Sequence, residues 1–150
     1  MANPFLAASD TASTSVDDLP ELQDFAWDFD HDTFRRDTHG NIILVTENEA
    51  LKVWIYKCLK TERARYPAYR HGEYNQDAPY GVELERFIGK RINNKATSED
   101  VIRYIKEGLE VNPYIVRIIS IKATNIEGDA LEISVDLESI YGYLSQKYVI

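Results

Sequence analysis

The sequence predicts an α+β fold: an N-terminal β-hairpin, a helical middle, and a long C-terminal β-hairpin that forms a small mixed sheet packed on the helices. Three observations carry that prediction. Apolar and polar residues alternate at Phe25, Trp27 and Phe29, and again at Leu131, Ile133, Val135 and Leu137, the period of half-buried strands. Between these runs, Leu51, Trp54, Ile55, Cys58 and Leu59, and later Val101, Ile102, Ile105 and Leu109, recur at helical spacing. Turn-forming clusters, Asp37 to Asn41 and Glu127-Gly128-Asp129, lie beside the strand runs.

Taken in order, residues 1–20 are small, polar and acidic and read as a flexible arm, with a single domain expected over 21–150. The run from Asp24 to Phe34 reads as a strand that places Asp28, Asp30 and Asp32 on one wet face. Ile42 to Val45 returns as the second strand of a hairpin. Thr46 then starts a helix, with Glu49 at capping-box spacing. Lys60, Arg63 and Arg65 fall in or just past its last turns, where cations complement the helix dipole, and Pro67 is expected to stop it. A tyrosine-rich loop runs to about Pro79. Tyr80 to Gly89 reads as a short helix carrying Leu84, Phe87 and Ile88, closed by Gly89. Thr97 or Ser98 is the expected cap of a further helix, with Glu99 and Asp100 in its first turn and Asn112-Pro113 at its end. The remaining β-branched runs supply the C-terminal hairpin, with Glu132, Ser134, Asp136 and Glu138 on the wet face.

Composition narrows the function. With 150 residues and 44% hydrophobic content, the chain can build a core without a metal or disulfide staple. Its net charge of -8 disfavours general binding to nucleic acid, which requires positive potential. The charge is uneven: -9 over residues 1–50, +5 over 51–70 and -4 over 71–150. Such asymmetry points to complementarity within the chain or between subunits. Cys58, the only cysteine, occupies an apolar helical position and is expected to be a small buried side chain. No secretory signal and no apolar run of membrane-spanning length is apparent. An intracellular protein, or one released with the particle it joins, is therefore expected.

No catalytic constellation stands out. Cys58 has no evident base, Ser9, Ser13 and Ser15 lie in the arm, and no nucleophile elbow occurs. His31, His39 and His71 fit no zinc spacing. Glu83 and Glu85 would diverge on a helix, which disfavours glycoside hydrolysis. No cofactor, metal ligand or catalytic residue is assigned.

The unusual stretch is Lys60 to Leu84. Tyr66, Tyr69, Tyr74 and Tyr80 crowd beside Arg63, Arg65 and Arg70 in the one basic segment. Tyrosine and arginine together suit nucleic-acid stacking, but they also dominate protein interfaces, and the acidic remainder favours the latter.

The order of motifs resembles a known family. "DFAWDF", "GNIILVTENEALKVWIYKCLKTERARYPAY", "YGVELERFIGK", "VIRYIKEGLEVNPYI" and "LEISVDLESIYG" run in sequence over about residues 22–142. They look like the small baseplate wedge proteins of contractile phage tails and PBSX-like defective prophages. These belong to the superfamily once labelled lysozyme-like after the T-even wedge subunit. The resemblance implies a structural, non-enzymatic baseplate component, present in six copies or a multiple of six. It would join hub and spike proteins to wedge proteins and to the first ring of sheath protein, in a virion or tail-like bacteriocin assembled in the bacterial cytoplasm. Sheath strands are then expected to extend its C-terminal hairpin. Neither nucleic acid nor membrane is an expected partner.

Glu62-Arg63 stands where the superfamily often carries a Gly-Glu-Arg-type turn. Asn112-Pro113-Tyr114 replaces its Glu-Pro-Arg motif, so the proline break is kept while the ion-pair partners are gone. A neutral hydrogen-bonding version is expected there. The loop around 72–79 is longer than the family's usual spacing. Glu62, Arg63, Arg65, Tyr66, Tyr69, Tyr80, Gly81, Asn112, Pro113 and Tyr114 are the expected partner-interface or structural-motif residues. A soluble adaptor of the same fold, and a lysozyme-type hydrolase, are the rival readings.

Overall fold

One long helix, with eight of its fourteen residues buried, organises the protein. In the computed structural model, which describes residues 18–67, 79–87, 90, 92, 95–127 and 129–150, α1 (Glu47–Lys60) buries Ala50, Leu51, Val53, Trp54, Ile55, Tyr56, Cys58 and Leu59. The expected face is present, and Val53 and Tyr56 widen it. Only a helix packed from several sides can bury so much, and a hairpin, a second helix and a sheet all contact this one.

The N-terminal hairpin forms, but with an inserted corner. Strands β1 (Gln23–Phe25) and β4 (Leu44–Thr46) pair antiparallel, while β2 (Trp27–Asp28) and β3 (Thr33–Phe34) make a smaller ribbon between them. The expected unbroken strand therefore ends at Asp28, and Asp30 and Asp32 lie in a turn rather than on a strand face. Asp28 closes that turn by accepting from the backbone N–H groups of Asp30 and His31 at 3.0 and 3.1 Å. The expected turn at Asp37 to Asn41 is present. Asp37 Oδ1 accepts from the His39 and Asn41 amides at 2.8 and 2.9 Å, and Gly40 has φ +86.

Thr46 is the N-cap residue by position, but its side chain makes no capping bond. Thr46 belongs to β4, and the first helical amide, Glu47 N–H, donates instead to Leu22 O at 2.9 Å. That bond satisfies one of the helix's four open N-terminal amides from outside the helix, and Glu49 pairs with Lys52 instead of closing a capping box. The helix also ends earlier than Pro67. Thr61 leaves it at ψ 116, its hydroxyl donating to Lys57 O at 2.7 Å.

Tyr80 to Leu84 is not helical. The chain bends at Tyr80-Gly81, Val82 is bridged to Glu62 in parallel, and only Glu85–Phe87 forms a 3-10 turn. Ile88 and Gly89 lie outside the described residues. Helix α2 (Lys95–Leu109) begins ahead of the expected caps, so Thr97 and Ser98 are inside it and its first turn holds no acid. Its buried stripe is Val101, Ile105 and Leu109, joined by Gly108.

The C-terminal sheet is α+β in the expected sense but antiparallel throughout, with three strands in the order β5-β6-β7. Strand β5 is Ile115–Asn125, β6 Leu131–Ser139 and β7 Gly142–Val149. The expected alternation holds along β6, where Leu131, Ile133, Val135 and Leu137 are buried. The third strand arises because Ile140-Tyr141 turns the chain, with Gly142 at φ +110. The inner face of the sheet lies against α1, and the buried Tyr148 hydroxyl donates to Lys52 O at 3.0 Å.

Candidate functional site

The sequence-predicted residues fall into two groups at different places on the core. The first is a crossing at the end of α1. Once the helix ends, the chain at Thr61–Arg63 meets the segment Gly81–Val82. Val82 N–H donates to Thr61 O at 2.9 Å and Arg63 N–H to Val82 O at 3.4 Å. Arg63 Nε donates to Gly81 O at 3.2 Å, and its guanidinium reaches Glu107 of α2 at 3.9 Å. Two glycines permit this closeness. Gly81 has φ +104, and a Cβ there would lie 2.5 Å from Thr61 O. A Cβ on Gly108 would lie 2.5 Å from Val82 Cγ2 and 3.0 Å from Gly81 O. Gly108 was not singled out by sequence reasoning, since a helical glycine carries no local signal of what crosses it.

Glu62 seats the next turn. Its Oε2 accepts from the amides of both Leu84 and Glu85 at 3.1 Å, so a side chain supplies the acceptor that starts the 3-10 turn. Burial holds the Glu62 carboxyl above the ordinary glutamate range, reinforced by Glu83 and opposed by the Leu84 amide, Arg65 and Arg86. The pH consequence follows in sign. The folded chain keeps this proton to higher pH than the unfolded chain does. Glu62 therefore removes stability as pH rises from the ordinary glutamate range through its raised folded value, and the loss levels off above that. Glu62→Gln keeps an oxygen acceptor for both amides. It is expected to flatten this part of the profile, read as the mutant-minus-wild-type difference in urea midpoint across acidic to neutral pH. The difference isolates Glu62 from Asp28, Asp32 and Asp37, whose lowered carboxyls act in the opposite sense.

Around this crossing, Arg65 pairs with Glu85, Tyr66 is 51% exposed, and Tyr80 is buried edge-on to Trp54 at 5.5 Å. Tyr80 is thus a core residue. Tyr69 and residues 72–78 of the long loop lie outside the described residues. Beside Arg65 and Tyr66 opens a groove of about 570 Å³, floored by Leu59, Leu84, Phe87, Ile92, Leu131 and Ile150.

The second group sits where α2 gives way to β5. Asn112 is buried, and its Oδ1 accepts from the Tyr114 amide at 2.9 Å. Pro113 is half-buried between them. The Tyr114 hydroxyl donates to Pro20 O at 2.7 Å, and its ring stacks on Tyr141 at 6.2 Å. Tyr141 in turn accepts from Leu22 N–H at 2.9 Å. Asn112 and Tyr114 therefore fasten the approach to β1 through neutral hydrogen bonds.

The sheet has two unlike edges. Strand β5 breaks register twice, between Ile115 and Arg117 and between Ile118 and Ser120, leaving Val116 and Ile119 as exposed extra residues. Strand β7 keeps unbroken register with β6 from Gly142 to Val149. Leu131 and Ile150 exchange both backbone hydrogen bonds. By antiparallel alternation, the backbone groups of Tyr143, Ser145, Lys147 and Val149 then point away from β6. A groove of about 360 Å³ runs there, lined by Gln146 and Lys147 of β7, Glu49 and Val53 of α1, and Trp27 and Phe29 of the hairpin.

Cys58 is fully buried with Sγ 3.6 Å from Gly108 O. Glu83 and Glu85 each pair with an arginine. Among the described residues no three His, Cys, Asp or Glu side chains gather as metal ligands, and no helix is long and apolar enough to cross a membrane.

A family model described as a contractile injection system sheath initiator matches residues 23–142, most of the chain. No curated protein matches it.

Proposed function

The chain belongs to the contractile injection system sheath initiator family, and from that premise we propose that it is a non-enzymatic baseplate subunit whose β7 edge nucleates the sheath by accepting a strand. Family membership carries the coarse role: a structural part in sheath assembly within a contractile tail particle. The observation that supports the finer reading is the contrast between the two sheet edges. Bulges twist and blunt an edge against strand addition. β5 carries two of them, whereas β7 keeps unbroken register and turns the N–H groups of four residues outward, with Tyr143 O and Lys147 O accepting only from the side chains of Asn48 and Gln146 at 3.5 and 3.0 Å. Added strands bind through such main-chain groups, and alternate side chains set the register. Trp27, Phe29 and Val53 would line the apolar wall against which an incoming strand lies.

In this reading the crossing at Glu62, Arg63, Gly81 and Val82 is a rigid base, and Arg65, Tyr66 and Tyr69 are the members of that segment that meet wedge or hub neighbours. Asn112, Pro113 and Tyr114 hold the N-terminal approach in place for those contacts. The subunit supplies fixed geometry, in six copies or a multiple of six, and turns over no substrate. Particles assembled without this chain are the direct test. Electron microscopy should show baseplates or bare tubes lacking sheath, whereas normally sheathed tails would overturn the proposal.

A further inference from the structure

The N-terminal hairpin carries a second exposed surface. Phe25 and Leu44 face each other across β1 and β4 and remain 48% and 52% exposed. Phe34 sets its ring edge-on to Phe25 at 6.1 Å and to Trp27 at 4.7 Å, and Ile42 lies two residues before Leu44. Phe34 and Ile42 are exposed as well. A contiguous aromatic and aliphatic patch of this kind marks an interaction site on a protein surface.

Charge selects what covers it. Residues 18–46 contain seven carboxylates and two arginines, and with Asp24 and Asp32 paired to Lys57 and Lys60 of α1 the surface keeps a net charge of about -3. One of those arginines, Arg36, is turned onto Gly40 O at 2.9 Å. Glu21 stands beside Gln23 at 3.3 Å at one end of the patch, and Asp28 and Asp37 flank it at the two turns. A second copy docking through the same patch would bring the same negative field against this one. Residues 1–17 contain Asp10 and Asp17 and neither lysine nor arginine, so they add charge of the same sign. We infer that the hairpin patch docks a segment of another protein that combines apolar side chains with lysine or arginine. Apolar anchors would seat on Phe25, Phe34, Ile42 and Leu44, and the cations would lie over the surrounding carboxylates, speeding encounter and selecting the partner.

The test uses the full-length protein and two synthetic peptides of equal length, one alternating leucine with lysine and one alternating leucine with glutamate. Binding is followed by tryptophan fluorescence, because Trp27 borders the patch. The lysine peptide is expected to bind at least ten-fold more tightly than the glutamate peptide, and to weaken as salt is added. Phe25→Ser with Leu44→Ser should abolish that preference. Glu21→Lys with Asp30→Lys, both exposed, should weaken the lysine peptide several-fold while circular dichroism and melting stay as in wild type. Equal binding of both peptides would overturn the inference. So would concentration-dependent dimerisation lost in the Phe25→Ser/Leu44→Ser protein, which would make a second copy the occupant. Tighter peptide binding after Phe5→Ser with Leu6→Ser would likewise assign the patch to residues 1–17. Because Trp27 and Asp30 also line the groove beside β7, the titration is repeated on Lys147→Pro: an unchanged preference for the lysine peptide places it on the hairpin patch, and a lost preference would overturn the inference.

Discussion

Replacing Gly81 with alanine should lower stability by about 4 kcal/mol, from a backbone penalty of about 1–3 kcal/mol and an overpacking penalty of about 1–3 kcal/mol. Two separate causes act at one position. At φ +104 any L side chain is strained, and the added Cβ would sit 2.5 Å from Thr61 O and 3.1 Å from Arg63 N, backbone atoms held by the α1 terminus. Relief would require the Glu62–Val82 bridge to open, which would also take the Leu84 and Glu85 amides off the Glu62 carboxylate. Against a typical folding free energy of about 5–15 kcal/mol the loss is large, and it corresponds to a melting point lower by roughly 10 °C in a chain of this size. Gly40→Ala separates the two causes. Its φ is +86, but nothing lies within 4 Å of the added atom. That variant should lose only about 1 kcal/mol, the strain alone. Gly108→Ala is expected to fall between them, since the closest atom it meets, Val82 Cγ2, belongs to a side chain that can rotate. Equal melting points for Gly81→Ala and Gly40→Ala would show that the crossing is not the tight point described.

The second large effect concerns assembly rather than stability. Lys147→Pro should leave the isolated subunit melting within a few degrees of wild type yet reduce sheathed particles at least ten-fold. Lys147 directs its backbone N–H away from β6, so proline removes no bond of the β6–β7 ladder, and edge strands tolerate it there. The lost side-chain contact is an exposed ion pair with Glu132 at 3.5 Å, worth about 0–1 kcal/mol. An incoming strand, by contrast, would lose a main-chain donor in the middle of its contact and meet the pyrrolidine ring. The matched control is Val116→Lys with Ile119→Lys on the bulged edge of β5, which should leave sheath formation unchanged. Sheathed particles counted by electron microscopy decide between the edges. Full sheathing with Lys147→Pro, and loss with the β5 pair, would move the site to the opposite side of the sheet.

Much of the architecture was legible because it rests on local periodicity. The α1 face at Leu51, Trp54, Ile55, Cys58 and Leu59 and the β6 face at Leu131, Ile133, Val135 and Leu137 each repeat at the interval their backbone demands, and both are buried as read. The turn at Asp37 was legible for the same reason, because its acceptor and its glycine lie within five residues. Tyr80 to Leu84 was misread for the opposite reason. Leu84 and Phe87 are spaced as on a helix, but pairing with Glu62, some twenty residues away, outweighs a short helix that Gly81 in any case disfavours. The missing capping bond at Thr46 is a similar case, since Thr46 is held in β4 by pairing with Gln23, a partner over twenty residues away.

The candidate site divides along the same line. Glu62, Arg63 and Gly81 were identified as neighbours of a turn, but only the crossing explains why they occur together, and Gly108 could not be found without it. The third strand, the bulges of β5 and the exposed hairpin patch were equally invisible, because a strand pattern does not say which partner it will pair with or which face will be covered.

By itself, then, the amino-acid order determined the α+β class, the buried faces of α1 and β6, and the concentration of positive charge at residues 51–70, all properties set within one turn or one strand. The tertiary structure alone decided where α1 stops, that Gly81 and Gly108 face one another, and which sheet edge is bulged and which keeps unbroken register. Those outcomes depend on steric contact and hydrogen bonding between segments distant in the chain, whose energies no local repeat encodes.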